Sequence, residues 1–354
     1  MNCKSLSRPS RPSRLLDAFS LSRFARLALL AVAASMLLLA ACADEDAAAK
    51  PEGLTPVTLM LNWTPNNHHA GIYVAQQRGW YREAGIDLTI VEPSQAGADV
   101  VVATGGADFG ISQAESLLPA RAEGAPLVAI ATLLPYNDSS LMALGGRGIA
   151  RPRDLEGRRY GGYGGALETE LVKTLVTCDG GDASKVTFVE VGNIDYLVGL
   201  DSGRFDFVWV FEGWDVLRAR EVTQRNIASI KFADYTRCIP DWYTPIVTAS
   251  EKTLRERPDL VRRFLEATNR GYLAAAQSPT DAAGALLGAA PESDADLIRA
   301  SASYHAPKYL AADGRWGQQK AQTWADFAVF LRKSGLLEKD VDTSKAFTNE
   351  YLPK

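Results

Sequence analysis

Between Asn62 and Tyr73 the chain gathers amides, imidazoles and aromatic rings: Asn62, Trp63, Asn66, Asn67, His68, His69 and Tyr73. A flat heteroaromatic ligand needs this mixture, a ring to stack on and donors and acceptors around its edge. The bland alternative is a capped helix start, with Asn66 or Asn67 as N-cap and Trp63 in the core. A second cluster is the glycine-rich run Tyr160 to Gly165, followed by Glu168. Glycines there let backbone N–H groups approach a ligand at a helix N-terminus. The same residues also fit a tight strand-to-helix turn, with Glu168 complementing the helix dipole. The run is not GxGxxG, which weakens a dinucleotide reading. A third is the apolar run Phe205 to Phe211, closed by Glu212. An acid at the mouth of an apolar strand is costly unless paired. Glu212 is therefore the leading candidate for recognising a ligand edge, against a surface glutamate capping the next helix. Trp242 offers a further ring for stacking, while Tyr243 is assigned to hinge packing. Gln113 is placed to point into a crevice; Glu115 is read as a first-turn acid and Trp209 as core.

No CxxC, HExxH or other metal-ligand spacing appears, and histidine occurs only at 68, 69 and 305. No Ser-His-Asp or paired-carboxylate signature is present. The expectation is no catalytic residue, no metal and no cofactor, with His305 a surface or core residue.

The elements that must position these groups alternate. Strand signals fall at 57–61, 86–91, 108–111, 128–132 and 141–144, with helical spacing between them. Gly145 to Asp154 reads as a boundary loop. A second set follows, with strands near 159–162, 186–191 and 206–211. A strand over 244–248 then leads into a helical remainder. Such alternation predicts an α/β protein of mostly parallel sheets flanked by helices, with ligands at strand ends facing a crevice. The predicted division is lobe one over 57–144 plus 245–354 and lobe two over 145–244, hinged near Gly145 and Cys238–Thr244.

Residues 1–41 carry six bases and one acid before an apolar stretch from Leu27 to Ala41. That is the pattern of a secretory signal, and the stretch is short for a membrane span. Removing it takes the formal charge from −4 to −9, which argues against nucleic-acid partners. Leu39-Ala40-Ala41-Cys42 resembles the lipobox of bacterial lipoproteins. The resemblance implies lipid on Cys42, a flexible tether over 42–56 and an extracytoplasmic, membrane-anchored protein. Cys3 leaves with the leader, so Cys178 and Cys238 remain. Two separate buried thiols are the default expectation, although the compartment permits pairing.

The run Leu61 to Ala75 resembles the opening motif of the NMT1/thiamine-pyrimidine-synthase-like family. Gly79 to Leu88, Asp154 to Gly164, Phe211 to Trp214 and Phe347 to Pro353 fit the same family, so the likeness covers roughly 57–354. It implies a two-lobed, type II periplasmic-binding fold. Bacterial members bind a thiamine pyrimidine precursor for an ABC importer, which implies a permease partner in the inner membrane. For Trp63, Asn66 and His69 the likeness favours ligand contact; for Asn67 and His68 the capping role is preferred. An aminopyrimidine would give Glu212 its partner. A riboflavin-binding branch stays open, because Asn62 stands where pyrimidine binders often have Asp. Fungal members are pyrimidine synthases with a pyridoxal-phosphate lysine; Ser112 aligns with that lysine and Ser116 with a histidine, so the enzyme reading fails on those residues. A lipoprotein that has lost transport and serves as a sensor or adhesin is the remaining class.

Overall fold

The computed structural model describes residues 53–354. The leader, Cys42 and most of the tether lie outside the described residues. The tether ends earlier than expected, because β1 (Thr55–Met60) already pairs Thr55 and Pro56 with Ile86 and Asp87 of β2 (Ile86–Val91). The next strands are β3 (Phe109–Ser112), β4 (Leu127–Thr132), β5 (Ser139–Leu144), β6 (Arg159–Gly162) and β7 (Thr187–Glu190). β8 (Phe207–Phe211), β9 (Ile227–Lys231) and β10 (Ile246–Ser250) complete the set.

The strands form two five-stranded sheets, ordered β2-β1-β3-β10-β4 and β7-β6-β8-β5-β9. In the first, β10 alone runs against its neighbours; in the second, β5 does. β4 is buried along its whole length, which is why its sequence is apolar up to its last residue, Thr132, rather than an alternation. β5 corrects the predicted boundary. Expected in lobe one, it pairs Ser139 with Phe211 and Leu144 with Ile227, inside the second sheet. The first crossing between sheets is therefore the segment 133–138, upstream of Gly145. The return crossing is 236–245. The two are laced together: the Asn137 N–H donates to Asp241 Oδ1 at 3.0 Å, and the Leu133 N–H to the Pro245 carbonyl at 3.0 Å.

The helical remainder returns to the first sheet. The helix Pro258–Gln277 starts on a proline, whose missing N–H is harmless there, and buries Leu260, Val261, Phe264, Leu265, Thr268 and Tyr272 at helical spacing. It crosses the helix Ala70–Gln77 where two glycines meet. A Cβ on Gly271 would lie 1.9 Å from the Gly71 carbonyl oxygen, and one on Gly71 would enter the Tyr272 ring. The far C-terminus joins β4, with Ala129 bonded to Ala346 and Thr348 at 2.9 Å each.

The second sheet is covered by a shorter helix, Ala166–Cys178, and by a π-helical stretch over 212–222. Cys178 and Cys238 form a disulfide with Cα atoms 5.6 Å apart. This corrects the default of two free thiols: the helix end and the return crossing, 60 residues apart, converge. No helix among the described residues is long and apolar enough to cross a membrane.

Candidate functional site

The strand ends of both sheets face a cavity of about 600 Å³. From the first sheet come Asn62, Trp63, Asn66, His68, Gln113, Glu115 and Ser116; from the second, Tyr163, Glu168, Trp209, Phe211 and Asp215. Tyr160, Tyr196, Trp214 and His305 complete the described wall beside glycines and aliphatic residues.

The turn after β1 is fixed by its own side chains. Asn66 caps it, its Oδ1 accepting from the His68 N–H at 2.9 Å. His69 Nδ1 accepts from the Asn66 N–H at 3.3 Å, which leaves the proton on Nε2 to reach Asn62 Oδ1 at 3.0 Å. Burial drives the His69 pKa down to about 3, with His68 adding to the shift, so the ring is neutral. Expected to touch ligand, His69 is fully buried behind the wall and positions Asn62 instead. Tyr73 is also absent from the wall. It points into the first lobe's core on the apolar face shared with Ala70 and Val74, and burial raises its hydroxyl pKa to about 12.

Glu168 lies in the wall, but both of its oxygens are engaged. Tyr160 Oη donates to Oε2 at 2.7 Å, and the Gly165 N–H donates to Oε1 at 2.7 Å. Gly162 is required here, since a Cβ would sit 2.4 Å from Glu168 Oε2. Tyr163, 51 % exposed, stands over the cavity with its hydroxyl 3.3 Å from that of Tyr196. Trp63 faces it from the other sheet, 48 % exposed.

Glu212 does not line the cavity. It is buried, with Oε2 3.8 Å from Lys231 Nζ on β9 and Oε1 unpartnered. The chain turns into its π-helix at this residue, which carries the carboxylate toward the sheet edge. Trp242 is behind the wall too, stacked on Phe327 with centroids 5.0 Å apart. Its Nε1 donates to Glu115 Oε2 at 2.9 Å. Trp242 thus orients Glu115, which reaches the cavity in its place. Burial pushes the Glu115 carboxyl up to about 7 against the opposing pull of its hydrogen bonds. Asp215 is pushed up to about 6 by burial, with the Phe211 N–H donating to it at 3.3 Å. The wall therefore presents two carboxyls that exchange protons near neutrality, a property suited to a basic ring nitrogen.

Asn62, Trp63, Asn66, Gln113, Tyr163 and Glu168 lie together in the cavity wall, while His69, Tyr73, Glu212 and Trp242 do not. Glu115, Asp215, His68, Trp209 and His305 are wall residues that sequence reasoning assigned elsewhere or passed over. For Glu115 a signal existed, its place two residues after Gln113 at a strand-to-helix turn. For His305 none did, because the fold alone carries it there.

The family described as NMT1/THI5 like matches residues 66–282. The formylaminopyrimidine-binding protein of Halalkalibacterium halodurans is 27% identical, covering 89% of this chain and 96% of its own. The 4-amino-5-hydroxymethyl-2-methylpyrimidine phosphate synthase of Legionella pneumophila is 28% identical over 84% of this chain and 92% of its own. The riboflavin-binding protein RibY of Chloroflexus aurantiacus is 27% identical over 85% and 87%. Among solved structures, the alkanesulfonate-binding protein SsuA of Xanthomonas axonopodis superposes with a TM-score of 0.62 at 14% identity, covering 85% of this chain and 99% of that one. The fold is thus the two-lobed α/β architecture of periplasmic binding proteins.

Proposed function

The chain belongs to the NMT1/THI5-like family, and from that premise we propose that it is the substrate-binding component of an ABC importer, capturing a thiamine pyrimidine precursor between its lobes. The observation that carries the proposal is the pair of exposed rings, Trp63 and Tyr163, facing one cavity from opposite sheets. Exposed rings that line a concave, largely apolar cavity beside polar groups mark a ligand-binding surface. A pyrimidine ring would lie between them, and its amino group and ring nitrogen would meet the carboxyls of Glu115 and Asp215. Asn62, Asn66 and Gln113 would complete the edge. This gives Glu115 the role that the sequence assigned to Glu212.

Capture rather than catalysis is the role proposed. Ser112 stands at the position aligned with the family's cofactor lysine, and no lysine is among the residues of the wall. Lipid on Cys42 would hold the protein near a permease in the inner membrane, raising its effective concentration there. A flavin is the second reading, favoured by the size of the cavity, which exceeds what a single ring fills.

Tryptophan fluorescence of the chain titrated with 4-amino-5-hydroxymethyl-2-methylpyrimidine, with riboflavin in parallel, tests the proposal. Saturable quenching by the pyrimidine is expected. Tyr163→Ala should weaken it by about 1 kcal/mol, roughly fivefold. Saturation by riboflavin alone would transfer the site to the second reading, and response to neither would overturn both.

A further inference from the structure

At the edge of the cavity, two wall residues and one residue buried behind them meet, and ligand recognition employs none of the three. His68 comes from the turn before the helix Ala70–Gln77, Asp138 from the first crossing, and His305 from the end of the helix Ala295–His305. All three are buried, and one ligating atom from each lies within 4.8 Å of the other two. We infer that His68, Asp138 and His305 form a binding site for a divalent first-row cation of the zinc class.

The hydrogen bonds around the cluster leave its lone pairs free. His305 Nδ1 donates to the Ser301 carbonyl at 2.9 Å, which puts the lone pair on Nε2. That atom is buried without a hydrogen-bond partner, and so is Nε2 of His68. The 3.8 Å from His305 Nε2 to Asp138 Oδ2 is too long for a hydrogen bond. Two unpartnered imidazole nitrogens beside one carboxylate are an unfavourable arrangement when nothing binds them. A cation converts all three into ligands at once.

The outer groups fit as well. Ligating imidazoles anchor their other nitrogen on a carbonyl or carboxylate, as His305 does on Ser301. Asp138 is held by Tyr304 Oη at 2.6 Å and by the Gly213 N–H at 2.8 Å. Gly213 makes room, since a Cβ there would lie 2.1 Å from His305 Cε1. Two imidazoles and a carboxylate are a donor set for zinc. Because His68 and His305 belong to the cavity wall, a further coordination position would open toward the cavity. The inference does not depend on which heterocycle the cavity takes.

The test uses the full chain, stripped with EDTA and titrated with Zn²⁺ by calorimetry, then with Co²⁺ followed by visible absorption. One equivalent of Zn²⁺ should bind, and Co²⁺ should give d–d bands of low coordination number. His305→Gln and His68→Asn should each weaken binding at least tenfold, while circular dichroism and the thermal unfolding midpoint report whether each variant is still folded. Only three histidines are present, and His69 is committed to Asn62 and Asn66, so histidine-dependent binding points to this cluster. Failure of the wild-type chain to bind Zn²⁺, or unchanged affinity in both folded variants, would overturn the inference. A failed pyrimidine titration alone would not, because the metal is read directly.

Discussion

The two sheets follow one plan, each with a single antiparallel strand lent by a crossing segment, yet their lobes are held together differently. The first lobe is backed by three successive helices from Pro258 to His305, and at Gly71 and Gly271 two of its helices approach too closely for a Cβ on Gly271. The second has less helix over it. A small cluster around Met142, Phe205, Val208 and Val216 fills one side of its sheet, and a disulfide ties its main helix to the return crossing. Their cavity faces differ as well. The first contributes amides, an imidazole and Glu115; the second contributes mainly rings. Strand order decides where loops meet, while the residues on those loops decide what they can hold.

That contrast can be broken at defined points. Removing the disulfide with Cys178→Ser and Cys238→Ser should have the largest effect, about 4 kcal/mol by loop entropy for a 60-residue closure. Urea unfolding would measure it, and a negligible change would mean that the second lobe's packing suffices without the bond. Gly271→Ala attacks the first lobe instead and should lower stability by about 3 kcal/mol, because the new methyl meets a carbonyl oxygen. Gly284→Ala is its control: nothing lies near that position, so it should be neutral or slightly stabilising.

Glu115 sharpens the comparison of the two cavity faces. Its carboxyl is raised from 4.5 to about 7 in the folded chain. Between those values the folded state keeps a proton that the unfolded chain has released. Stability is therefore lost as pH rises through this window, on the order of 3 kcal/mol. Glu115→Gln should flatten that part of the profile, and an unchanged slope would assign it to other groups. Among the destabilising changes the smallest is expected from Asn66→Ala, which removes the cap of the first-lobe turn at about 1 kcal/mol.

Much of the frame was legible in the sequence, because alternation and apolar runs report burial directly. Ile86–Val91 and Gly97–Ala103 fall where periodicity places them. β9 was passed over, since Ile227–Lys231 is short and mixes exposed and buried positions. The site was legible where a residue lies on a loop at a strand end, as Trp63 and Tyr163 do. It failed where direction mattered more than position. Glu212 sits at a strand end, but a π-helical start turns it aside. Trp242 is at the crossing, yet its ring stacks inward on Phe327 and acts through Glu115. β5 was misplaced because a strand's sequence reports that it is buried, not which of two sheets buries it.

The laced crossings carry a mechanical consequence. Two independent straps would let one lobe twist, slide and tilt against the other. Tied by Asn137 to Asp241 and by Leu133 to Pro245, the two crossings are fastened to each other, so a displacement of one pulls on the other. A lobe movement of the kind proposed would then load both crossings at once rather than either alone.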